Sequence, residues 1–317
     1  MPTARANPFI DVVPGSSTVL PSSDRFGRSG HRWDGREIDA LIAAFAAQRP
    51  LLVRGEAGSG KSQLARAAAV VLGGEDASPL CEVIHPRFEA LDLLYRFDAV
   101  ARLADAQAQD LARVADLGNY MRHGVLWHAM ARSRPEAPRP VVLIDEIDKA
   151  DADVPNALLD VLGNRALTNT LTGESIPADG RPMPLLIITT NEERELPPAF
   201  VRRCLVLNLN PPKGREPFIE WLTVRAQAHD DLAVDSEVTA KAADKVWTDR
   251  SAAARLGQQT VGLAEFIDLL SALTDITRQE RTAAKRKKAQ LAWLDRLSTY
   301  FLVKGADMPQ SAGGRPV

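Results

Sequence analysis

From position 55 the chain reads Gly55-Glu56-Ala57-Gly58-Ser59-Gly60-Lys61-Ser62, glycines at fixed spacing followed by a lysine and a hydroxyl. Glycines at those places let successive backbone N–H groups curl inward into a nest for phosphate oxygens, and a helix starting just beyond adds its positive N-terminal dipole. The Lys61 ammonium is then placed to reach β- and γ-phosphates, and the Ser62 hydroxyl to ligate Mg2+. The whole run from Gly55 to Gln63 is expected to cradle a nucleotide. A Gly-Ser loop that matches by chance needs no special flanks. Here Pro50-Leu51-Leu52-Val53-Arg54 reads as a short buried strand before the loop, and Gln63 to Leu72 as a helix after it, closed by Gly73-Gly74.

A second cluster follows Val141-Val142-Leu143-Ile144, an aliphatic run typical of a parallel strand buried on both faces. It ends in Asp145-Glu146. Asp145 is expected to face the Mg2+ shell, and Glu146 to act as the base that polarises water. Asp148 is read as a solvated, helix-capping carboxylate. The next aliphatic strand, Leu185-Leu186-Ile187-Ile188, ends in Thr189-Thr190-Asn191, and Asn191 is expected to position water or contact the γ-phosphate. Arg202-Arg203-Cys204 then precedes the apolar run Leu205 to Leu209. By itself an arginine pair is surface charge; behind this succession of elements it becomes a candidate for stabilising phosphoryl charge.

The elements that must hold these groups divide the chain. Asp34 is an N-cap for a helix with Ile38, Leu41, Ile42 and Phe45 on one face. An α/β nucleotide-binding domain is expected over residues 34–210, broken off at Pro211-Pro212-Lys213-Gly214. Residues 211–304 show helical patterns at Pro217–Ala228, Val238–Trp247, Leu263–Leu273 and Ile276–Tyr300, with no strand-like run. Residues 1–33 read as an extension whose apolar patch, Phe9 to Val13, either docks on a neighbour or packs on the core; residues 305–317 read as a disordered tail.

With 45% hydrophobic and 25% charged residues the composition is that of ordinary globular protein. No run has the form of a signal peptide or spans a bilayer, so a cytoplasmic protein with no membrane association is expected. Cys81 and Cys204 stand too far apart in sequence for a metal spacing or a disulfide framework, and His85, His123 and His128 read as structural. The net charge of −2 gives no overall bias towards nucleic acid. Arg278, Arg281, Lys285, Arg286, Lys287 and Lys288 form a local exception, read first as the solvated face of one amphipathic helix.

The phosphate loop, the acid pair, the Thr189-Thr190-Asn191 strand end and Arg202-Arg203-Cys204 resemble Walker A, Walker B, sensor 1 and arginine finger of an AAA+ ATPase. Asp92 to Val100, Gly124 to Ala129, and Asn164 to Thr168 with the turn-rich Pro177 to Pro182 are similar to the helix-2 insert and pre-sensor hairpin of MoxR-like members. The resemblance implies an α/β P-loop NTPase with a parallel sheet, helices on both faces and a small all-helical lid. It also implies ATP and Mg2+, a hexameric ring of identical chains, and Arg203, with Arg202 second, completing a neighbour's site. A protein client or von Willebrand A-type partner protein, and a link to bacterial defence, are further implications. One departure is visible: Gly257 to Phe266, where a sensor 2 arginine would stand, contains none, and Arg255 lies too early. A nucleic-acid motor resembling McrB, using GTP or ATP, and a slow nucleotide-gated switch are the alternatives. ATP is favoured because no guanine-binding N-K-x-D follows a strand.

Overall fold

The computed structural model describes residues 6–177 and 180–302. Its chain groups into two compact units. One holds the described residues through Glu56 together with Lys61–Leu209; the other holds Ala57–Gly60 and the described residues from Asn210 onward.

The first unit opens with a short 3-10 turn, Pro8–Asp11, and an antiparallel hairpin of β1 (Ser17–Leu20) and β2 (Ser29–Arg32). Of the expected apolar patch Phe9 to Val13, Phe9 and Val12 pack on the chain's own core, while Ile10 and Val13 are exposed. Phe9 is fully buried with its ring edge-on to Phe45 at 5.9 Å, and Asn7 Nδ2 donates to Ile42 O at 2.9 Å. Helix α1 (Gly35–Ala47) begins on the expected cap. Asp34 accepts from Arg36 N at 2.9 Å while Glu37 Oε2 accepts from Asp34 N at 3.0 Å, so two free N–H groups of the helix start are satisfied reciprocally.

There follow β3 (Leu51–Arg54), α2 (Lys61–Gly73) and β4 (Leu80–Val83). An excursion comes next: β5 (Tyr95–Phe97), α3 (Ala99–Gln107), α4 (Leu111–Ala115) and β6 (Met121–His123), with β5 and β6 paired antiparallel. The chain returns through α5 (Val125–Arg132), β7 (Val141–Asp145) and α6 (Asp153–Asn164) to a two-residue-per-strand hairpin of β8 (Leu167–Thr168) and β9 (Ser175–Ile176). This hairpin turns at Asn169 to Glu174, before the turn-rich Pro177 to Pro182 where the sequence placed it; Ala178 and Asp179 of that stretch lie outside the described residues. The unit closes with β10 (Leu185–Thr190), α7 (Pro198–Arg203) and β11 (Leu205–Asn208).

Five strands form one parallel sheet in the order β11-β3-β10-β7-β4. Its side chains alternate between two faces, as strand periodicity requires. Leu52, Val142, Ile144, Leu186 and Ile188 enter one apolar cluster with α5, α6 and α7. Leu51, Val53, Leu143, Ile187 and Leu207 enter the other, with α1 and α2. Coverage on both faces explains why the first four residues of β7 and of β10 are all aliphatic. The architecture is a P-loop NTPase α/β fold of the AAA+ kind, followed by helices.

In the second unit α8 (Arg215–Ala226), α9 (Ser236–Arg255), α10 (Leu263–Ile276) and α11 (Ala283–Leu302) share a core of Phe218, Leu222, Val238, Val246, Phe266, Leu269, Leu273 and Leu294. The expected helix from Ile276 to Tyr300 is corrected. Helix α10 ends at Ile276 and α11 begins at Ala283, so Arg278 and Arg281 lie in the intervening turn and not on the helix. The turn is held by the buried Gln290, whose Nε2 donates to Thr277 Oγ1 at 3.2 Å and to Ala233 O at 2.8 Å. Lys287 pairs with Asp235 and Glu237 across α9 and α11. Residues 303–317, including the expected tail, lie outside the described residues.

Candidate functional site

The loop between β3 and α2 turns through left-handed backbone at Gly58 (φ +71°) and Gly60 (φ +97°), a conformation glycine adopts without a Cβ penalty. Ser59 Oγ in this loop is buried with no hydrogen-bond partner, a polar atom suited to a phosphate oxygen. Lys61, the first residue of α2, is buried. Its Nζ donates to Gly55 O, Glu56 O and Asn191 Oδ1, each at 2.7 Å. Burial lowers its pKa, against the opposing pull of Asp145, Asp148, Glu146 and Glu56.

The ends of β7 and β10 adjoin in the sheet and bring their polar groups to Lys61 and Ser62. Ser62 Oγ donates to the Asp145 carboxylate, 3.0 Å from each oxygen. Two hard oxygen donors on neighbouring side chains suit Mg2+, which takes few protein ligands and keeps the rest of its octahedron for water and phosphate. Among the described residues no group of three or more His, Cys, Asp or Glu gathers into a metal cluster. Thr189 Oγ1 donates to Asp145 Oδ1 at 2.5 Å and accepts from Glu146 N at 2.9 Å.

Glu146 sits in left-handed backbone (φ +61°, ψ 48°), uncommon for a side chain of its kind. Both its oxygens have donors. Asn191 Nδ2 donates to Oε1 at 3.2 Å and Lys149 Nζ to Oε2 at 2.6 Å. The latter bond raises the Lys149 pKa. Lys61, Asn191, Glu146 and Lys149 thus form one connected chain of polar contacts.

Asp148 departs from expectation. It is buried, 2% exposed, and accepts from Glu193 N at 2.9 Å and Asn191 N at 3.4 Å. It therefore fixes the loop after β10 instead of capping a helix in solvent. The structure brings Lys61, Ser62, Asp145, Glu146 and Asn191 together and keeps Arg202 and Arg203 apart from them. Leu205 is in register with Leu51, so the arginines, at the end of α7, stand at the N-terminal end of the parallel strands. The phosphate loop leaves the opposite end, about 13 Å beyond Leu51 at the usual strand rise. Both arginine side chains are exposed.

Thr189 and Lys149 in this arrangement, and Arg49 beside the arginine pair, are residues that the sequence did not single out. Thr189 was visible only as part of a polar strand end, and Lys149 only as a basic residue three places after Glu146. Arg49 gave no signal at all: its Nη2 donates to Arg202 O at 2.6 Å and Cys204 O at 3.2 Å, and its Nε to Arg203 O at 2.9 Å.

Residues 50–204 match the family described as AAA domain (dynein-related subfamily). The chaperone protein ClpC4, chloroplastic, of Oryza sativa subsp. japonica is 30% identical over 171 residues, 53% of this chain. The match takes in only 15% of that relative's length. A solved structure described as a "putative ATPase" from Cytophaga hutchinsonii aligns over 84% of this chain and 80% of its own, with 13% identity and a TM-score of 0.38, too remote a likeness to inform the site. With the phosphate loop, the acid pair and the parallel sheet in place, residues 50–204 are similar to AAA domains and carry the P-loop NTPase fold of the AAA+ kind.

Proposed function

We propose that the chain is an ATP hydrolase that works as a ring of identical subunits, in the manner of MoxR-like AAA+ proteins, and remodels or activates a protein partner. The observation that carries the assembly is the separation of groups along one sheet. The loop lies at the C-terminal end of the strands and the arginine pair at the N-terminal end, so Arg202 and Arg203 are out of reach of their own loop and free to complete another subunit's. The MoxR-like assignment is supported by the β5–β6 excursion between β4 and α5, and by the β8–β9 hairpin just before β10. A protein partner is supported by the relative named as a chaperone.

In this reading Lys61 exchanges the carbonyls of Gly55 and Glu56 for phosphate oxygens, and Ser62 and Asp145 hold Mg2+. The ion neutralises charge on the phosphates when bound. Asn191 turns from Lys61 and Glu146 towards the γ-phosphate. Glu146, released from Lys149, accepts the proton of the attacking water, and Arg203 of one subunit, with Arg202 second, stabilises charge on the γ-phosphate held by the next.

Hydrolysis measured against protein concentration, with light-scattering mass, tests the reading. Lys61→Ala is expected to lose nucleotide binding, and Glu146→Gln to bind without turnover. Arg203→Ala should assemble and bind normally yet fall by about 10³-fold or more in kcat, the scale of an arginine supplied in trans. Activity per subunit that stays flat with concentration, in an enzyme indifferent to Arg203, would remove the ring reading.

A nucleotide-gated switch is the second reading, favoured by one observation: both Glu146 oxygens are occupied by Asn191 and Lys149. A Glu146→Gln variant that keeps full effect on the partner while turning nothing over would select it.

A further inference from the structure

Helix α7 is six residues long, too short to be stable by its own backbone bonds, and its last carbonyls have no partners within the helix. Phe200, fully buried, anchors one side of it. At its C-terminal end the chain turns extended at Cys204 (φ −91°, ψ 156°) and enters β11. Here the Arg49 guanidinium gathers three successive carbonyls, those of Arg202, Arg203 and Cys204. A cation at this place satisfies free acceptors and opposes the negative end of the helix dipole.

Arg49 is itself held on both sides. Gln48 closes α1 in left-handed backbone (φ 51°), and Arg49 N donates back to Ala44 O at 3.2 Å. Pro50 O, on the other side, accepts from Leu205 N at 2.8 Å at the start of β11. Arg165 Nη1, from the C-cap of α6, donates to Gln48 Oε1 at 3.2 Å. The guanidinium therefore bonds the backbone of the two residues whose side chains point into solvent as candidate trans-acting groups, from a base tied to α1, α6 and β11.

We propose that Arg49 is a positioning residue. It fixes the backbone at the end of α7 so that Arg202 and Arg203 are presented in one orientation to the nucleotide of an adjoining subunit. The proposal rests on the trans-arginine reading above. A planar fork with several donors spans successive carbonyls in a way one ammonium does not, so arginine and lysine are not equivalent at position 49.

The test uses the full chain and ATP hydrolysis by purified Arg49→Ala, Arg49→Lys, Arg202→Ala, Arg203→Ala and Lys61→Ala, alone and mixed. Arg49→Ala is expected to lose kcat on the order of 10- to 100-fold, the cost of a small misplacement of a catalytic group. Its KM for ATP should change by less than about twofold, since its own nucleotide loop is intact. Arg49→Lys should retain an intermediate rate. Mixed with Lys61→Ala, which keeps correctly held arginines but no usable site, Arg49→Ala should recover activity above the sum of the two proteins alone. Mixed with Arg203→Ala, which cannot supply the arginine, it should not recover. If Arg49→Ala melts below the assay temperature, Arg49→Lys carries the same mixing comparison.

A wild-type rate for Arg49→Ala, beside an inactive Arg203→Ala or Arg202→Ala, overturns the proposal and leaves the trans-arginine reading standing. A slow Arg49→Ala that Lys61→Ala fails to rescue also overturns it, because the defect then lies in the variant's own site. If neither Arg202→Ala nor Arg203→Ala lowers the rate, the trans-arginine reading itself falls, and the proposal with it.

Discussion

Thr189 ties the two acids of the site to one hydroxyl, donating to Asp145 and accepting from the backbone of Glu146. It is fully buried, so Thr189→Val would leave a carboxylate and an N–H short of a partner at nearly constant volume. A bond to a charged group contributes about 1.5–3 kcal/mol. The variant is expected to melt lower and to need more Mg2+ for half-maximal hydrolysis; a melt and a Mg2+ titration check both. Thr189 also shows what a sequence reader loses. The phosphate loop and the Asp145-Glu146 pair were legible because their chemistry is carried by consecutive residues. Thr189 works on Asp145 from 44 residues away, Asp148 on Glu193 from 45, and Arg49 on Arg203 from 154. No local pattern records such partnerships, and Asp148 was misread because a carboxylate near a helix start usually does cap.

Among the elements, the long and strongly patterned ones could be read directly. Strands β7 and β10 are runs of aliphatic residues, and α1 carries its capping box in Asp34 and Glu37. The break between α10 and α11 was expected too early, between Leu273 and Ile276, because Thr277 to Thr282 contains neither glycine nor proline; a buried amide, Gln290, holds it instead. The hairpins β5–β6 and β8–β9 were too short to show period two. They are tied by Tyr95 Oη and Thr170 Oγ1, 2.9 Å apart, and His123 Nε2 lies 3.2 Å from Glu174 Oε2 without a hydrogen bond between them. Since Tyr95 and His123 face each other in register, one pair of cross-strand neighbours reaches both ends of the β8–β9 turn. At the α9–α11 junction, hydrogen bonds from Lys241 and Lys287 lower the Glu237 carboxyl from 4.5 to about 2. A carboxyl depressed by folding stabilises fully above its unfolded value, so this contribution is present above pH 4.5 and is lost as pH falls through about 2. Glu237→Gln should flatten the acid side of Tm plotted against pH, by a modest amount because the pair is exposed to solvent.

At the scale of the molecule, the second unit has a core of its own from all four helices, closed by Leu294 and Leu302 of α11. Residues 210–302 expressed alone are expected to be helical and to melt cooperatively; a non-cooperative thermal trace by circular dichroism would show that the core depends on the rest of the chain. In the proposed ring the parallel sheet of the first unit would give assembly a direction. With the arginines at one end of its strands and the phosphate loop at the other, each subunit would have a giving end and a receiving end, and the contact between copies would be heterologous. Any open row of subunits then leaves the phosphate loop at one terminus unserved, while a closed ring leaves none. Poisoned subunits would act with the same polarity: a copy lacking its arginines silences the neighbour on one side only, and a copy lacking its loop silences nobody but itself.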